Sequence, residues 1–505
     1  MRMAKATMTT LKPSQLLEAL DAAVAEQGSD LTPRLIGDDG AYSLAALSQT
    51  SQSLATVLAA KGVKPGDRVG HLGKNSAALI VLLFACARLG ALLMPLNWRL
   101  SVKEWTWMLD DAAPSVLVTM EGFHQNQDAL TGAPCFDLLA LLDEAATASI
   151  DPLLDTGAGD PDLLLVYTSG STGRPKGAVH TQGAVWANAR LSHAMHNYNP
   201  RGVQDRVLTI LPMFHVGGLA IQTLSALLHG AQVRLMTAFE PNQMAALHES
   251  FRPTLTLHVP ATLQAMLNLP QWANLDLSDL RAVSIGSTDV PIELISALQT
   301  RSIPVLQIYG ATESGPISIF QNIDLALSRP GSIGTVPEGV EIRLQRPDGS
   351  TCDLDEAGEI AIRADNLARC YWPNLPLVNA DGYWSSGDVA SRDAEGVYWF
   401  RDRLKNVIIS GGENIYPAEI ERVLRSVPGV GDCCVVGVAS PRWGQTPVAV
   451  IEGSPLPLDS IRARLNEELA RFKHPSRIDF LPVLPRNAMG KIVRDDVVRV
   501  VAEGH

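Results

Sequence analysis

The chain has 505 residues, more than one ordinary core holds, so two or more domains are expected. Hydrophobic residues at 46% and charged residues at 19% exclude a disordered chain. The net charge of −12 removes the positive field that non-specific binding to nucleic acid or an anionic membrane requires.

The first seventeen residues hold basic groups and no acid, yet no apolar h-region or small-residue cleavage signal follows. They read as a short disordered lead. Residues 66–119 then show a weak strand–helix rhythm: RVGHLG, the apolar stretch 77–90, and LLMPLN. The longest apolar run, Ala77 to Ala87, ends at Arg88, well below the ~20 residues of a membrane span. Cys86, Cys135, Cys352, Cys370, Cys433 and Cys434 show no metal-ligand spacing, as expected of a reduced, cytoplasmic protein.

From about residue 160 apolar runs alternate with amphipathic ones. LLLVY (163–167), VLTIL (207–211), AQVRLM (231–236), TLTLH (254–258), AVSIG (282–286) and PVLQIYG (304–310) are strand-like. Helices are expected over 183–196, 219–229 and 242–250, and opening at Pro260 and Pro291. That order implies βαβ crossovers and parallel sheets. Over 339–400 the texture becomes antiparallel, with turns at Pro347-Asp348-Gly349 and Glu395-Gly396. Beyond Arg403 comes a compact α+β unit. Its first helix opens at Pro417 and places Ile420, Val423, Leu424 and Val427 on one face. The expected fold class is therefore α/β: a large N-terminal domain with parallel sheets and a β-rich subdomain over 1–402, a link at 403–406, and a small C-terminal domain over 407–505. Residues 401–505 carry 15 basic against 13 acidic groups, whereas the rest carries 26 against 40. A mildly basic segment on an acidic body suits a part that meets a polyanion.

The strand at 163–167 runs into Tyr167-Thr-Ser-Gly-Ser-Thr-Gly-Arg-Pro-Lys-Gly177. Gly170, Gly173 and Gly177 let the backbone expose its N–H groups. The hydroxyls of Thr168, Ser169, Ser171 and Thr172 add donors, and Lys176 adds charge. By composition this is a phosphate cradle, and it lacks the register of a Walker A loop.

This segment resembles the phosphate loop of the adenylate-forming superfamily, which includes acyl- and aryl-CoA ligases, nonribosomal adenylation domains and beetle luciferases. Four further stretches resemble that family in order: Tyr309-Gly310-Ala311-Thr312-Glu313; Tyr383 to Asp388; Arg401 to Lys405 with Ser410 to Pro417; and Asn487 to Lys491. The resemblance implies that ATP, Mg²⁺ and coenzyme A are the cofactors and a small carboxylic acid the partner. Thr312 and Glu313 would hold Mg²⁺, and Asp388 and Arg403 the ribose. Lys405 would serve as the hinge of a mobile C-terminal domain. Lys491 would stabilise the negative oxygens around the α-phosphorus.

By the same resemblance Leu211 to Gly218 lines the acyl pocket, with His215 where amino-acid-activating members carry Asp. An apolar aliphatic or aryl acid is therefore expected, since a substrate ammonium would lie unpaired. Ser287 and Thr288 stand where many members have a Gly-Gly-Ala-Pro stretch at adenine. Gly411, Gly412, Trp443 and Lys473 (with Arg477) are the candidates for meeting coenzyme A. Two rivals remain at this level: loading of a carrier-protein phosphopantetheine, and a catalytically silent adenylate-binding paralogue. A luciferase-like oxygenase shares the first step. A homodimer is compatible with this reading.

Overall fold

In the computed structural model the described residues are 14–123, 132–151, 159–168, 175–286, 290–486 and 492–503. The chain groups into two compact units, Met1–Glu341 with Ile362–Trp384, and Ile342–Ala361 with Ser385–His505. The segment 403–406, expected as a link, lies inside the second, where Leu404–Asn406 form a single 3₁₀ turn.

The first unit contains two eight-stranded sheets. One runs in the order Ile319–Phe320, Val305–Tyr309, Ala282–Gly286, Leu255–His258, Arg206–Thr209, Gln232–Leu235, Leu35–Ile36, Ala41–Tyr42. Its six inner strands are parallel and both edges antiparallel. The other centres on the parallel strands Arg68–Leu72, Leu92–Leu96 and Val116–Thr119. The expected βαβ alternation is what builds both sheets. The helix Ala77–Leu89 is buried on every face, as an all-apolar helix must be in a core. Ser76 caps its start, Gly90 in the left-handed region ends it, and Arg88 is satisfied by Ser48 and Ser51. No described helix is long and apolar enough to cross a membrane.

Two expectations change. The lead does not extend to residue 17: a helix begins at Gln15, with the Ser14 hydroxyl accepting from the Leu17 amide and Leu16, Leu17 and Leu20 buried. Between the phosphate segment and the helix Gln182–His196 lies the strand Lys176–Thr181, antiparallel to Asp162–Thr168. The segment is thus flanked by two antiparallel strands, which no strand–turn–helix pattern anticipates.

In the second unit, Cys433–Ser440 and Gly444–Glu452 pair as a hairpin, and Arg477–Leu481 adds in parallel. The helix Pro417–Arg425 buries Ile420, Val423 and Leu424 against Val435, Ala449 and Ile461. All six cysteines are free thiols.

Burial pushes the imidazoles of His71, His180 and His196 down to about 4, and that of His258 to about 3, all in the first unit. These groups bind more protons unfolded than folded. The stability they contribute is complete above the ordinary value near 6.5 and is lost as pH falls towards about 4. The urea midpoint of the first unit is expected to fall steadily between about pH 7 and about pH 5, and an unchanged midpoint would contradict this.

Candidate active site

The hairpin that carries the phosphate segment closes at Thr168 opposite Lys176, with the Thr168 hydroxyl donating to the Lys176 carbonyl at 3.3 Å. Ser169, Gly170, Ser171, Thr172 and Gly173 lie outside the described residues. A Cβ at Gly177 would stand 2.6 Å from Leu165 Cδ1, so that leucine would have to shift to admit one. Below the tip, the Tyr167 phenol donates to Asp111 at 2.6 Å; burial, and then that carboxylate, raise its pKa.

In the other sheet the strand Val305–Tyr309 ends at Gly310, where a Cβ would overlap the Pro316 carbonyl at 1.9 Å. The chain therefore turns tightly through Ala311, Thr312 and Glu313, at the carboxyl end of a parallel strand, where open α/β sheets present ligands. Side chains absent from the sequence argument fix this turn. The Ser314 hydroxyl accepts from the Ala311 amide at 2.9 Å. Asn366 donates to the carbonyls of Ser314 and Ile317 at 2.8 and 2.7 Å. The Ala368 amide donates to the Glu313 carbonyl at 2.8 Å, and His180 hydrogen-bonds the Thr312 backbone. The Tyr371 phenol donates to Glu313 Oε1 at 3.0 Å, and the Lys176 ammonium stands over its ring at 5.3 Å. Burial first, then the Glu313 charge, raise the pKa of that phenol, so it remains a donor at neutral pH. The phosphate hairpin and the Thr312–Glu313 turn are thereby brought together. Ser287 and Thr288, one strand away, lie outside the described residues.

The segment Leu211 to Gly218 continues into a helix of unexpected kind. Gly217–Thr223 is a π-helix, and only Leu224–Leu228 is α-helical. Its wider turns are held by polar side chains: Thr223 donates to the Gly218 carbonyl at 2.7 Å, Ser225 to that of Ala220 at 2.8 Å, and Asn188 also to Ala220 at 2.8 Å. Gly218 permits the sharp entry, because a Cβ would lie 2.3 Å from the Pro212 carbonyl. His215 is half-buried, its ring 4.5 Å from that of Phe214.

Asn75, which the sequence does not single out, clamps this segment. Its buried amide donates to the carbonyls of Leu211 and Met236, both at 3.0 Å, and accepts from the Met213 amide at 2.8 Å. It follows a strand of one sheet and grips strand ends of the other. Asn75→Ala is expected to weaken use of the acid about tenfold in kcat/KM, with KM for ATP unchanged, in steady-state kinetics. An equal loss for both substrates would mean general loosening instead.

In the second unit, strand register sets Asp388 opposite Arg403, Oδ1 to Nε at 3.3 Å. Asp388 is buried and follows Gly387, whose φ is 70°. Gly411 and Gly412, at φ 61° and 90°, form the two-residue turn of a hairpin, as a double-glycine turn of that kind requires. Trp443 packs over Gly411 so closely that a Cβ there would meet the indole at 2.9 Å, and Arg442 lies 4.5 Å above its ring. These coenzyme A candidates are together. The Lys473 ammonium forms a bidentate pair with Glu419 at 2.7 and 2.8 Å. Lys491 lies outside the described residues. The described residues that flank it, Arg486 and Ile492, form an antiparallel bridge. Arg486 pairs with Asp432 and Glu452 on one side, and Arg494 with Glu421 on the other.

A family model described as AMP-binding enzyme matches residues 21–372, and one described as AMP-binding enzyme C-terminal domain matches residues 419–491. The indoleacetate–CoA ligase of Aromatoleum aromaticum is 41% identical over 478 residues, covering 91% of this chain and 93% of that protein. A feruloyl-CoA synthase from an Amycolatopsis species is 38% identical over 474 residues, covering 91% and 94%. The o-succinylbenzoate CoA synthetase of Bacillus subtilis, solved with its acyl-adenylate intermediate, matches at a TM-score of 0.82 and 29% identity over 97% of this chain and 98% of its own. With both family models matched and relatives aligned over nine-tenths of its length, the chain belongs to the AMP-binding enzymes, in the acyl- and aryl-CoA ligase branch of the adenylate-forming superfamily, and is an AMP-forming acid–thiol ligase.

Proposed function

We propose that this enzyme joins an apolar, aryl-bearing carboxylic acid to coenzyme A through an acyl-adenylate. The observation that carries the substrate class is the segment Leu211 to Gly218. It offers no carboxylate, and Met213, Phe214 and Val216 within it are buried around the half-exposed His215. A substrate ammonium there would be desolvated without a partner. Relatives named for indoleacetate and ferulate, both aryl acids, support the same class.

The roles follow from chemistry and from the resemblance to the family jointly. Backbone and hydroxyl groups of residues 168–173, with Lys176, grip the outer phosphates. Tyr309, Gly310 and Ala311 face the adenine with Ser287 and Thr288, and Asp388 and Arg403 take the ribose hydroxyls. Among the described residues no cluster of three or more His, Cys, Asp or Glu side chains forms a metal cage. Glu313 and Thr312, one carboxylate and one hydroxyl, would hold the Mg²⁺ that accompanies the nucleotide, oxygen donors that suit a hard cation. When bound, Mg²⁺ supplies neutralisation of the triphosphate charge. His215 orients the acid. An oxygen of the acid bonds to the α-phosphorus beside the Lys491 ammonium, and pyrophosphate leaves. The thiol sulfur, led past Gly411 and Gly412 with Trp443 and Lys473 nearer the nucleotide end of its carrier, bonds to the acyl carbon, loses its proton, and AMP departs. Residues 1–402 and 407–505 act as the two functional domains, joined at 403–406.

Pyrophosphate release, followed with arylacetic, hydroxycinnamic, fatty and amino acids, tests this reading. Aryl acids are expected to turn over continuously only with coenzyme A. Release driven by an amino acid, or turnover with a holo carrier protein but not with coenzyme A, would sink it.

A further inference from the structure

Tyr371 touches both parts of the nucleotide machinery in the first unit. Its strand, Cys370–Tyr371, lies antiparallel to Lys176–Thr181 with Tyr371 opposite Ala178, and the Trp372 amide donates to the Gly177 carbonyl at 2.7 Å. The ring is thus fixed by backbone pairing beside the phosphate hairpin. Its phenol reaches Glu313 Oε1 at 3.0 Å, while Lys176 Nζ stands 5.3 Å from the ring centroid. The Glu313 main chain is already held by the Ala368 amide, so the phenol fixes what remains free, the side-chain torsions. Glu313 Oε2 makes no hydrogen bond among the described residues.

We propose that Tyr371 is a positioning residue for the metal carboxylate: its phenol holds one oxygen of Glu313 so that the other is presented to the ion accompanying ATP. Its ring, under the Lys176 ammonium, ties that carboxylate to the phosphate hairpin. This rests on the reading of Glu313 as a Mg²⁺ ligand. A hydrogen bond to an ionised carboxylate is among the stronger ones, and pre-orienting a ligand removes an entropic cost from metal binding.

Tyr371→Phe keeps the ring, the packing and the cation contact and removes the donor to Glu313, together with the hydroxyl's contact to the Trp384 side chain. With Mn²⁺ as probe, read by its paramagnetic resonance, the affinity of the full chain for MnATP is expected to fall about tenfold in this variant. Its affinity for ATP in excess chelator should not change, whereas a merely structural role would weaken both. In the Glu313→Gln background the Tyr371→Phe change should have no further effect on MnATP, because the charged acceptor is gone. Unchanged MnATP affinity, equal weakening of metal-free ATP, or full additivity of the two substitutions would each overturn the proposal. If Glu313→Gln alone binds MnATP as tightly as the native chain, the metal role of Glu313 falls and the proposal with it. Failure of every aryl acid in turnover would sink the substrate reading and leave this one standing.

Discussion

Replacing Lys491 by alanine is expected to slow acid-dependent ATP–pyrophosphate exchange by about 10²–10³-fold, the cost of removing one preorganised stabiliser of a transition-state anion. The attacking carboxylate and the α-phosphoryl oxygens are all negative, and their charge concentrates as the bond forms. An ammonium aimed there costs nothing to reorganise at the moment of reaction, which water cannot match. The described residues on either side of 487–491 are firmly held, by the bridge Arg486 to Ile492, the Val493 amide on the Pro485 carbonyl at 2.9 Å, and an arginine pair on each flank. Thioester formation from supplied acyl-adenylate and coenzyme A should stay within about threefold of native, because attack on the acyl carbon needs no cation at phosphorus. Lys491→Arg should recover little, since a planar fork does not replace a compact point charge. Exchange at full speed in the alanine variant, or equal loss in both half-reactions, would remove Lys491 from the first step.

What the sequence reveals is what chemistry or periodicity demands locally. The double glycine at 411–412 is legible because both positions need positive φ, and the strands feeding Tyr309 and Thr168 are legible as apolar runs before small polar turns. The antiparallel strand Lys176–Thr181 is not, because KGAVHT mixes a charge, a glycine and a buried histidine, and only its partner strand sets its direction. The π-helix is invisible for a related reason. Its hydrogen bonds are diverted by Asn188 and other side chains remote in sequence. Asn75 and Tyr371 matter through partners 138 and 58 residues away, so no local pattern marks them. Lys473 likewise has a partner that no local pattern marks, Glu419, 54 residues upstream.

Arg494→Met is expected to destabilise the second unit by about 3 kcal/mol, at the lower end of the cost of stranding a buried charge. Glu421 is the charge at risk, with a side chain 5% exposed against 26% for Arg494. Arg494 donates to Glu421 Oε2 at 3.0 Å, pairs with Oε1 at 2.7 Å, and also donates to the Val435 carbonyl at 2.6 Å. After the substitution Glu421 still accepts from the Val435 amide at 2.7 Å, and Arg425 stands 3.6 Å away, so the loss stops short of a wholly orphaned carboxylate. Hydrogen exchange reads this directly: amides of Cys433–Ser440 should lose protection about 100-fold, while the core strands of the first unit keep theirs. Adding Glu421→Gln should return much of the protection, because a neutral amide needs no buried cation. The same pair anchors the chain three residues beyond Lys491, so the single variant should also lose pyrophosphate exchange before it loses thioester formation from supplied adenylate. Protection unchanged in Arg494→Met, or no recovery in the double variant, would show that packing rather than charge holds this corner together.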